Sequence, residues 1–226
     1  MGKLSIVATP IGNLEDMTLR ALRTLKECDV IYAEDTRVIS KLLARYEIKK
    51  PLQRLDAATE HKKASEVVER LKAGEHVVYV SDAGTPGISD PGARLVEQVR
   101  EHAPEVVVEA IAGPSALTAA LSIAGLDLAA GFTFLGFLPH KKGRLTALKA
   151  LKASELPVVL YESPHRIEKL LTELEGVQRV TIARELTKMH EELVAGTSPE
   201  LQLYFKDHPD HIRGEFVVII NPGFRH

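Results

Sequence analysis

The stretch Val80-Ser81-Asp82-Ala83-Gly84-Thr85-Pro86-Gly87-Ile88-Ser89-Asp90-Pro91-Gly92 decides the fold of this chain. It follows an apolar run at residues 77–80 that is typical of a buried strand, and it precedes apolar residues at helical spacing. Glycine admits positive φ and lets a ligand approach the backbone, while proline stiffens a loop. A rigid loop at the carboxyl end of a parallel strand is where open α/β sheets bind small molecules. The stretch therefore predicts an α/β sheet with a ligand loop.

A plain capped turn is the alternative interpretation of the same stretch. Asp90-Pro91 combines a good N-cap residue with a good first helical residue. That interpretation accounts for residues 90–92 but leaves residues 82–89 unexplained. We therefore favour the ligand loop.

The composition is that of an ordinary globular protein. Of the 226 residues, 45% are hydrophobic and 27% are charged, which suffices for one large domain or two small ones. The sequence has no apolar run of about eighteen residues, so we expect no membrane span. Residues 4–8 are too short an apolar run for a secretory signal, and the single cysteine, Cys28, excludes an internal disulfide. We expect a cytoplasmic protein with no metal site and no membrane partner.

Strand-like and helix-like segments alternate along the first half of the chain, which predicts a mainly parallel sheet covered by helices. Gly113-Pro114 interrupts this pattern, and we place a domain junction there, with α/β domains at residues 1–113 and 114–226. Strands crowd towards the end of the chain, which predicts a mixed second sheet. The predicted strands are residues 4–8, 30–33, 77–80, 106–108, 133–137, 158–161, 180–183, 192–195 and 216–220; the first predicted helix begins near Thr18, and others include residues 39–43, 64–71, 95–99, 115–124, 144–152, 167–174 and 199–205.

Several predicted strands end in small, polar, charged or proline-containing sequence. If the strands are parallel, these loops meet at one edge of each sheet and form a site larger than a single anion requires. The sequence lacks the GxGxxG pattern, the phosphate loop and the GxSxG elbow. These are the signatures of the common dinucleotide-binding, nucleotide-binding and hydrolase sites, so the sequence indicates none of the three. The loops are Ala8-Thr9-Pro10-Ile11-Gly12-Asn13, Ala33-Glu34-Asp35-Thr36-Arg37, residues 81–92, Ile111-Ala112-Gly113-Pro114-Ser115, Tyr161-Glu162-Ser163-Pro164-His165-Arg166 and Ala183-Arg184-Glu185-Leu186-Thr187-Lys188.

A basic window lies in the second half of the chain, where no acidic residue occurs between Asp127 and Glu155. The window indicates either a phosphate-binding surface or a solvated helix face, and composition alone leaves both open. His165 and Arg166 either open the following helix or bind a phosphate at its amino end. The window contains Phe132, Phe134, Phe137, Lys141, Lys142, Arg144, Lys149 and Lys152.

Glu34 and Asp35 form a carboxylate pair of the kind used in acid–base catalysis. Adjacent residues at the end of a strand point to opposite faces, however, so the two are not expected to share a proton. Asp35 or Thr36 capping the next helix, with Glu34 or Arg37 facing the site, is the more economical interpretation.

In their order along the chain, these motifs resemble the tetrapyrrole-methylase-like, class III methyltransferases. Within that group they are similar to an RNA-directed branch, the ribosomal RNA small-subunit methyltransferase I family, over nearly the whole chain. The motifs that carry the resemblance are Thr9-Pro10-Ile11-Gly12-Asn13-Leu14, Ala33-Glu34-Asp35-Thr36-Arg37, Ser81-Asp82-Ala83-Gly84-Thr85-Pro86, Ile88-Ser89-Asp90-Pro91-Gly92, Gly113-Pro114-Ser115-Ala116, Gly136-Phe137-Leu138-Pro139, Lys141-Lys142-Gly143, Tyr161-Glu162-Ser163-Pro164-His165-Arg166, Ala183-Arg184-Glu185-Leu186-Thr187-Lys188 and Gly214-Glu215-Phe216-Val217.

The resemblance implies a homodimeric enzyme that holds S-adenosylmethionine in a cleft between two α/β domains. It further implies methylation of a cytidine ribose 2′-hydroxyl in small-subunit (16S) ribosomal RNA. By resemblance the cofactor residues are Pro10, Asp82, Thr85, Ile88, Ser115, Ala116, Tyr161 and Gly214. The catalytic candidates are Glu34, Arg37, Arg184, Glu185 and Lys188, because they follow strands that face the presumed cleft. RNA is expected to contact Lys141, Lys142, Arg144, His165 and Arg166.

The sequence departs from the wider group in two respects. Its first loop, Pro10-Ile11-Gly12-Asn13, has less glycine than a corrin-ring methylase, which favours the RNA-directed branch. Many members also carry a further carboxyl-terminal segment; if that segment binds RNA, we expect this chain to rely more on its basic window and its dimer. The alternatives are a tetrapyrrole methylase of the same fold and a non-catalytic RNA-binding or ribosome-assembly protein.

Overall fold

A computed structural model describes residues 1–56, 59–177 and 179–221 of the chain. The chain divides into two compact units, Met1–Ser115 and Ala116–His226, whereas the sequence predicts the junction at Gly113-Pro114. Each unit is built on a five-stranded sheet, the first parallel and the second mixed, which confirms the predicted fold class. Within the described ranges, no helix combines the length and apolar character that crossing a bilayer requires.

The sheet of the first unit is parallel throughout and has the order β3-β2-β4-β1-β5. Its strands are β1 (Lys3–Val7), β2 (Val30–Ala33), β3 (Leu52–Arg54), β4 (His76–Val80) and β5 (Val107–Ile111). Val7 pairs with both Val80 and Ile111, and Ala33 also pairs with Val80. Since the strands end in register, their carboxyl ends meet at one edge.

Helices cover both faces of this sheet, which is why β2 and β4 are nearly continuous apolar runs. The helices described in this unit are α1 (Leu19–Glu27), α2 (Thr36–Arg45), α3 (Glu60–Lys72) and α4 (Gly92–His102). On one face Tyr32 and Tyr79 pack with residues of α3 and α4, including Val67 and Leu95. On the other face strand residues such as Val80 pack with α1 and α2.

The helix starts were predicted with mixed success. Thr18 caps α1 as expected, its Oγ1 accepting from the amide of Ala21 at 3.1 Å. Asp35 rather than Thr36 caps α2. The prediction that Asp90 is the N-cap of α4 is wrong, because Pro91 occupies that position. The Asp90 side chain instead accepts from the amide of Gly87 in the loop and from that of Gly92, the first residue of the helix.

The second unit has a mixed sheet with the order β6-β7-β10-β8-β9. Its strands are β6 (Thr133–Phe137), β7 (Val158–Glu162), β8 (Arg179–Arg184), β9 (Glu192–Gly196) and β10 (Phe216–Asn221). β6 and β7 are parallel, and the other neighbours are antiparallel. Phe216 pairs with both Glu162 and Arg184, and Arg184 pairs with Glu192. The ends of β7 and β8 and the starts of β9 and β10 therefore share one edge.

The second unit packs helices against one face of its sheet in a buried cluster. Its helices are α5 (Ala116–Ile123), α6 (Arg144–Lys152), α7 (Ile167–Glu173) and α8 (Ser198–Asp207). Leu151 of α6, Leu171 of α7 and Phe205 of α8 belong to one buried cluster with Leu160 and Val218 of the strands. A capping box of Thr197 and Glu200 fixes the start of α8.

Candidate active site

Two loops at the edge of the first sheet are joined through their main chains. Thr9 and Gly84 exchange a pair of backbone hydrogen bonds, each 3.0 Å long, which link the loops after β1 and β4. The buried Thr9 hydroxyl also donates to the carbonyl of Ser81 at 3.3 Å. Gly84 has a φ of +79°, a conformation that favours glycine. Pro10, a predicted cofactor residue, is the next residue after this bridge.

The loop after β5 closes on the same pair of loops. Thr85 Oγ1 donates to the carbonyl of Pro114 at 3.0 Å. A Cβ atom at Gly113 would lie 2.9 Å from Cβ of Ala8, so only glycine permits this approach without a shift. The structure thus brings together the segments that carry Pro10, Thr85 and Ser115, and Ser115 itself is half-buried.

The loop at residues 81–92 has an internal anchor. The carboxylate of Asp90 accepts from the amides of Gly87 and Gly92, both at 2.8 Å, and from the Tyr79 hydroxyl at 3.2 Å. A Cβ at Gly92 would lie 2.7 Å from the Tyr79 ring. Between these fixed points the side chain of Ile88 is 51% exposed. The loop therefore presents an apolar residue from a fixed backbone, as a ligand loop requires.

Carboxylates gather where β2 and β4 end. The amide of Asp35 donates to Asp82 Oδ1 at 2.9 Å, and Asp35 Oδ1 accepts from the Arg37 amide at 2.8 Å. Hydrogen bonds from Arg37 lower the pKa of Asp35 to about 2. Burial raises the pKa of Glu34, and repulsion from Asp82 and Asp90 raises it further. Burial is also the main cause of the raised pKa of Asp82. The two adjacent carboxyls thus differ in chemistry: Asp35 caps α2 and has a lowered pKa, whereas Glu34 has a raised pKa.

The exposed Arg37 is held by its neighbour. Its Nη2 lies 2.5 Å from Asp35 Oδ2, and its side chain is 87% exposed. Hydrogen bonding to Asp35 raises the pKa of Arg37, so its charge is stabilised rather than removed. Arg37 is therefore unsuited to accept a proton.

Arg184 is also unsuited to that role. It is 5% exposed, and its Nε lies 2.5 Å from Glu192 Oε2. Glu192 is in turn held by the hydroxyl of Tyr204 and lies 3.1 Å from His211 Nδ1. A guanidinium stays protonated in proteins. Arg184 is therefore unsuited to remove a proton and forms an ion pair with Glu192, and its wider catalytic role stays a prediction.

Glu185, Lys188 and Gly214 form a clasp between the end of β8 and the start of β10. Lys188 Nζ lies 2.8 Å from Glu185 Oε1, which also accepts from the Glu215 amide at 3.3 Å. Burial alone would lower the pKa of Lys188, but the ion pairs with Glu185 and Glu215 raise it overall. Lys188 is consequently a cation at neutral pH, which argues against a role as a base, and its catalytic role stays a prediction.

Gly214 fits this clasp because it has no side chain. Its φ is +79°, and a Cβ there would lie 1.7 Å from Glu185 Oε1. Glu185 and Thr187 also adopt positive φ, at 49° and 66°. Such strained residues persist only where the surroundings hold them in place, and they cluster at functional sites.

The basic window divides into exposed and buried residues. Lys141, Lys142 and His165 are exposed. Arg144 is 5% exposed and forms a two-pronged ion pair with Glu173, whose shortest N–O distance is 2.6 Å. The guanidinium of Arg144 is therefore used inside the unit, which argues against a contact with RNA, and the predicted contact stays a prediction. The Arg166 side chain, 15% exposed, pairs with a buried carboxylate.

Tyr161 lies beside two phenylalanines of the window. Its ring centroid is 5.1 Å from that of Phe134 and 5.6 Å from that of Phe137. Phe137 is 54% exposed, so these rings form an open aromatic surface at the end of β6 and β7. Ala116, the remaining predicted cofactor residue, begins α5 and is half-buried. In the described part of the chain, no group of three or more His, Cys, Asp or Glu is arranged to hold a metal ion.

The family of the chain follows from its sequence relatives. The model of the family described as "Tetrapyrrole (Corrin/Porphyrin) Methylases" matches residues 3–202. The chain belongs to this family. A relative from Thermotoga maritima named "Ribosomal RNA small subunit methyltransferase I" is 45% identical over 98% of this chain and 99% of its own length. A protein of the same name from Neisseria meningitidis serogroup B is 42% identical over 98% of this chain and 77% of its own.

Solved structures of low sequence identity share the fold. Uroporphyrin-III-C-methyltransferase from Thermus thermophilus superposes with a TM-score of 0.66 at 20% identity, covering 98% of this chain and 96% of the other. Diphthine synthase gives 0.70 at 16% identity, covering 96% and 89%. At these identities, the likenesses support the fold of this tetrapyrrole methylase family member and say nothing about its substrate.

Sequence reasoning missed the acidic partners in the second unit of this family member. Glu162, Glu173 and Glu192 hold Arg166, Arg144 and Arg184, and two of the three pairs join different elements of the fold. One signal was present for Glu162, which ends a buried apolar strand and so has to be paired. The other partners lie on a helix and an edge strand, where a glutamate is unremarkable in sequence.

Proposed function

We propose that this chain transfers a methyl group from S-adenosylmethionine to a cytidine ribose 2′-hydroxyl in small-subunit ribosomal RNA. The observation that carries the proposal is the 45% identity, over nearly both whole chains, to a protein named for that RNA subunit. The joined loops at the edge of the first sheet support a cofactor site. The exposed lysines of the second unit support an RNA substrate.

The first unit fits a cofactor that is recognised through backbone groups. The close approach at Gly113 and the positive φ of Gly84 leave main chain where other residues would place a Cβ. Pro10, Asp82, Thr85 and Ile88 would hold S-adenosylmethionine there, and we retain Ser115, Ala116, Tyr161 and Gly214 as further proposed contacts. When bound, S-adenosylmethionine supplies a methyl group on a sulfonium whose thioether leaves without a charge.

The protein's own chemical task is to align the hydroxyl and remove its proton. Because the leaving group is neutral, no acid is needed on the departing side. Arg37, Arg184 and Lys188 are held as cations, and Glu185 already accepts hydrogen bonds from Lys188 and Glu215. Glu34 remains, and its raised pKa makes its carboxylate a stronger proton acceptor than an ordinary glutamate.

RNA binding is assigned to the exposed part of the basic window. Lys141 and Lys142 lie between β6 and α6, and His165 lies just before α7. Lysine ammonium groups bind phosphates as point charges, and the aromatic rings of Phe137 and Tyr161 offer faces on which a base can stack. Arg166 is a partial contributor, since its guanidinium also binds within the unit.

We also propose a cytoplasmic homodimer, in keeping with the family resemblance. Light scattering coupled to gel filtration measures the assembly state directly. A mass of about one chain, 24.8 kDa, contradicts the dimer.

The test of the activity is transfer of labelled methyl groups to small ribosomal subunits. Subunits from cells that lack the corresponding methylation are incubated with purified protein and labelled S-adenosylmethionine. We expect label in the RNA at a position that resists alkaline cleavage, because a 2′-O-methyl group removes the nucleophile that breaks the adjacent phosphodiester.

A corrin precursor serves as the competing substrate in a parallel reaction. Label in the precursor alone identifies a tetrapyrrole methylase. Absence of label in both, together with absence of S-adenosylmethionine binding in calorimetry, indicates a non-catalytic protein and contradicts the proposal.

A further inference from the structure

Glu162 is a buried carboxylate placed directly beneath the lysine-bearing loop. It is the last residue of β7, and its side chain has no exposed area. Oε1 accepts from the Ser163 amide at 2.9 Å and lies 3.2 Å from Arg166 Nε. Oε2 lies 3.9 Å from Arg144 Nη2 and makes no hydrogen bond within the ranges that the structure describes. A charge buried in this way has to be compensated by its neighbours.

The two arginines also donate hydrogen bonds to the neighbouring loop. Arg166 Nη2 donates to the carbonyl of Leu138 at 2.7 Å, and Arg144 Nη1 donates to the carbonyl of Pro139 at 3.2 Å. These consecutive carbonyls open the segment that carries the two exposed lysines. The guanidiniums therefore connect the Glu162 carboxylate to the start of that segment.

Each arginine is held on more than one side. Glu173 binds Arg144 through Nε and Nη2, and this pairing raises the pKa of Arg144. Arg166 Nη1 lies 3.4 Å from His140 Nε2, inside the same loop. A planar guanidinium can bind a carboxylate on one side and a carbonyl on another, which a lysine cannot do in the same geometry.

We propose that Glu162 is a positioning residue for RNA binding, acting through Arg166 and Arg144 to hold the loop of Lys141 and Lys142. This inference rests on the proposed function, because the lysines are assigned to RNA there. A fixed loop loses less conformational freedom when it binds, so ordering it in advance increases affinity without adding a contact. Glu162 is too deeply buried to touch RNA itself.

The experiment compares Glu162→Gln with the wild-type protein in the methyl-transfer assay on small subunits. We expect KM for the subunit to rise about tenfold, while kcat and the affinity for S-adenosylmethionine stay within about twofold. Glu168→Gln is the matched control, since it removes the same charge from an exposed position on α7. It is expected to behave as wild type.

A double-variant cycle separates positioning from general damage to the fold. In a Lys141→Ala/Lys142→Ala background, Glu162→Gln is expected to have no further effect on KM, because the groups it positions are absent. A rise in KM of the same size in both backgrounds overturns the inference. So does a wild-type KM in Glu162→Gln.

Arg144→Lys provides an independent variant if Glu162→Gln does not fold. Its side chain is buried and donates to the Pro139 carbonyl, so we expect its effect on the RNA KM to come through the loop. We expect the same rise in KM, and an unchanged KM overturns the inference. A wild-type protein that does not methylate small subunits contradicts the proposed function instead, and this is read in the same assay before any variant is compared.

Discussion

The backbone amide of Asp35 donates to Asp82 Oδ1 at 2.9 Å, so the loop after β4 fixes the start of α2. Asp82→Ala removes this acceptor, and we expect S-adenosylmethionine to bind about tenfold more weakly. Asp82→Asn keeps an oxygen that can accept the same bond, and its affinity is expected to stay within about threefold of wild type. Calorimetric titration measures both.

Glu97→Ala, on the exposed side of α4, is the control for this comparison. A wild-type affinity of Asp82→Ala for S-adenosylmethionine would show that Asp82 does not contribute to the cofactor site. Equal losses in the Ala and Asn variants would assign the effect to charge rather than to the hydrogen bond.

Glu34 determines the acidic limb of the pH–rate profile if it accepts the hydroxyl proton. A base works only when deprotonated, so the rate falls as pH drops through its pKa. Because burial and the neighbouring carboxylates raise the pKa of Glu34, this limb lies at higher pH than for an ordinary glutamate. Glu34→Gln is expected to lower kcat by about 10²–10⁴-fold with cofactor affinity retained.

The Asp82→Asn variant gives a second test of the same role. It removes a negative charge near Glu34, which lowers the pKa of Glu34 and moves the acidic limb to lower pH. A limb at the wild-type position in this variant, or substantial activity in Glu34→Gln, would assign the proton to another acceptor.

Lys141 and Lys142 are expected to act on RNA alone. Replacing both with Glu should raise the RNA KM by at least about tenfold and flatten its dependence on salt, since phosphate contacts release counterions. S-adenosylmethionine affinity should not change. Lys26→Glu/Lys41→Glu, on exposed positions of α1 and α2, makes the same change in net charge elsewhere. Parallel losses of RNA and cofactor binding would instead show that the window is structural.

Gly214→Ala is expected to destabilise the protein through Glu185. The added Cβ would lie 1.7 Å from Oε1 and 2.8 Å from Cγ of Glu185, so that side chain has to leave its bonds to Lys188 and Glu215. We expect a loss of about 2–3 kcal/mol in the free energy of unfolding, measured in urea.

In a Glu185→Ala background the same glycine substitution should cost only about 1–2 kcal/mol, the cost of a left-handed conformation. An equal cost in both backgrounds would show that the carboxylate moves away freely and that Gly214 matters for its φ alone.

The sequence predicts the strands well where burial on both faces produces unbroken apolar runs, as in β2 and β4. It misses β3, Leu52–Arg54, because three half-exposed or exposed residues are too short to show a period. The strand is defined by its pairing with β2, for example Leu52 with Ile31.

Burial of site residues is equally hard to predict from local sequence. Lys141 and Arg144 look equivalent in a basic window, yet one is exposed and the other is buried against Glu173, 29 residues away. Which of the two residues is buried depends on where α7 packs, and the local sequence does not indicate that position. The start of α1 near Thr18, by contrast, depends on residues within a single turn and is correctly predicted.

The reciprocal bonds between Thr9 and Gly84 use only amides and carbonyls. A change of side chain at either position therefore leaves both donors and both acceptors in place, provided that the chain can still follow its path. The side chains of these two loops can therefore change while the backbone bonds that set the distance between the loops stay the same. The distance between the two loops is thus set by main-chain groups, whatever ligand their side chains contact.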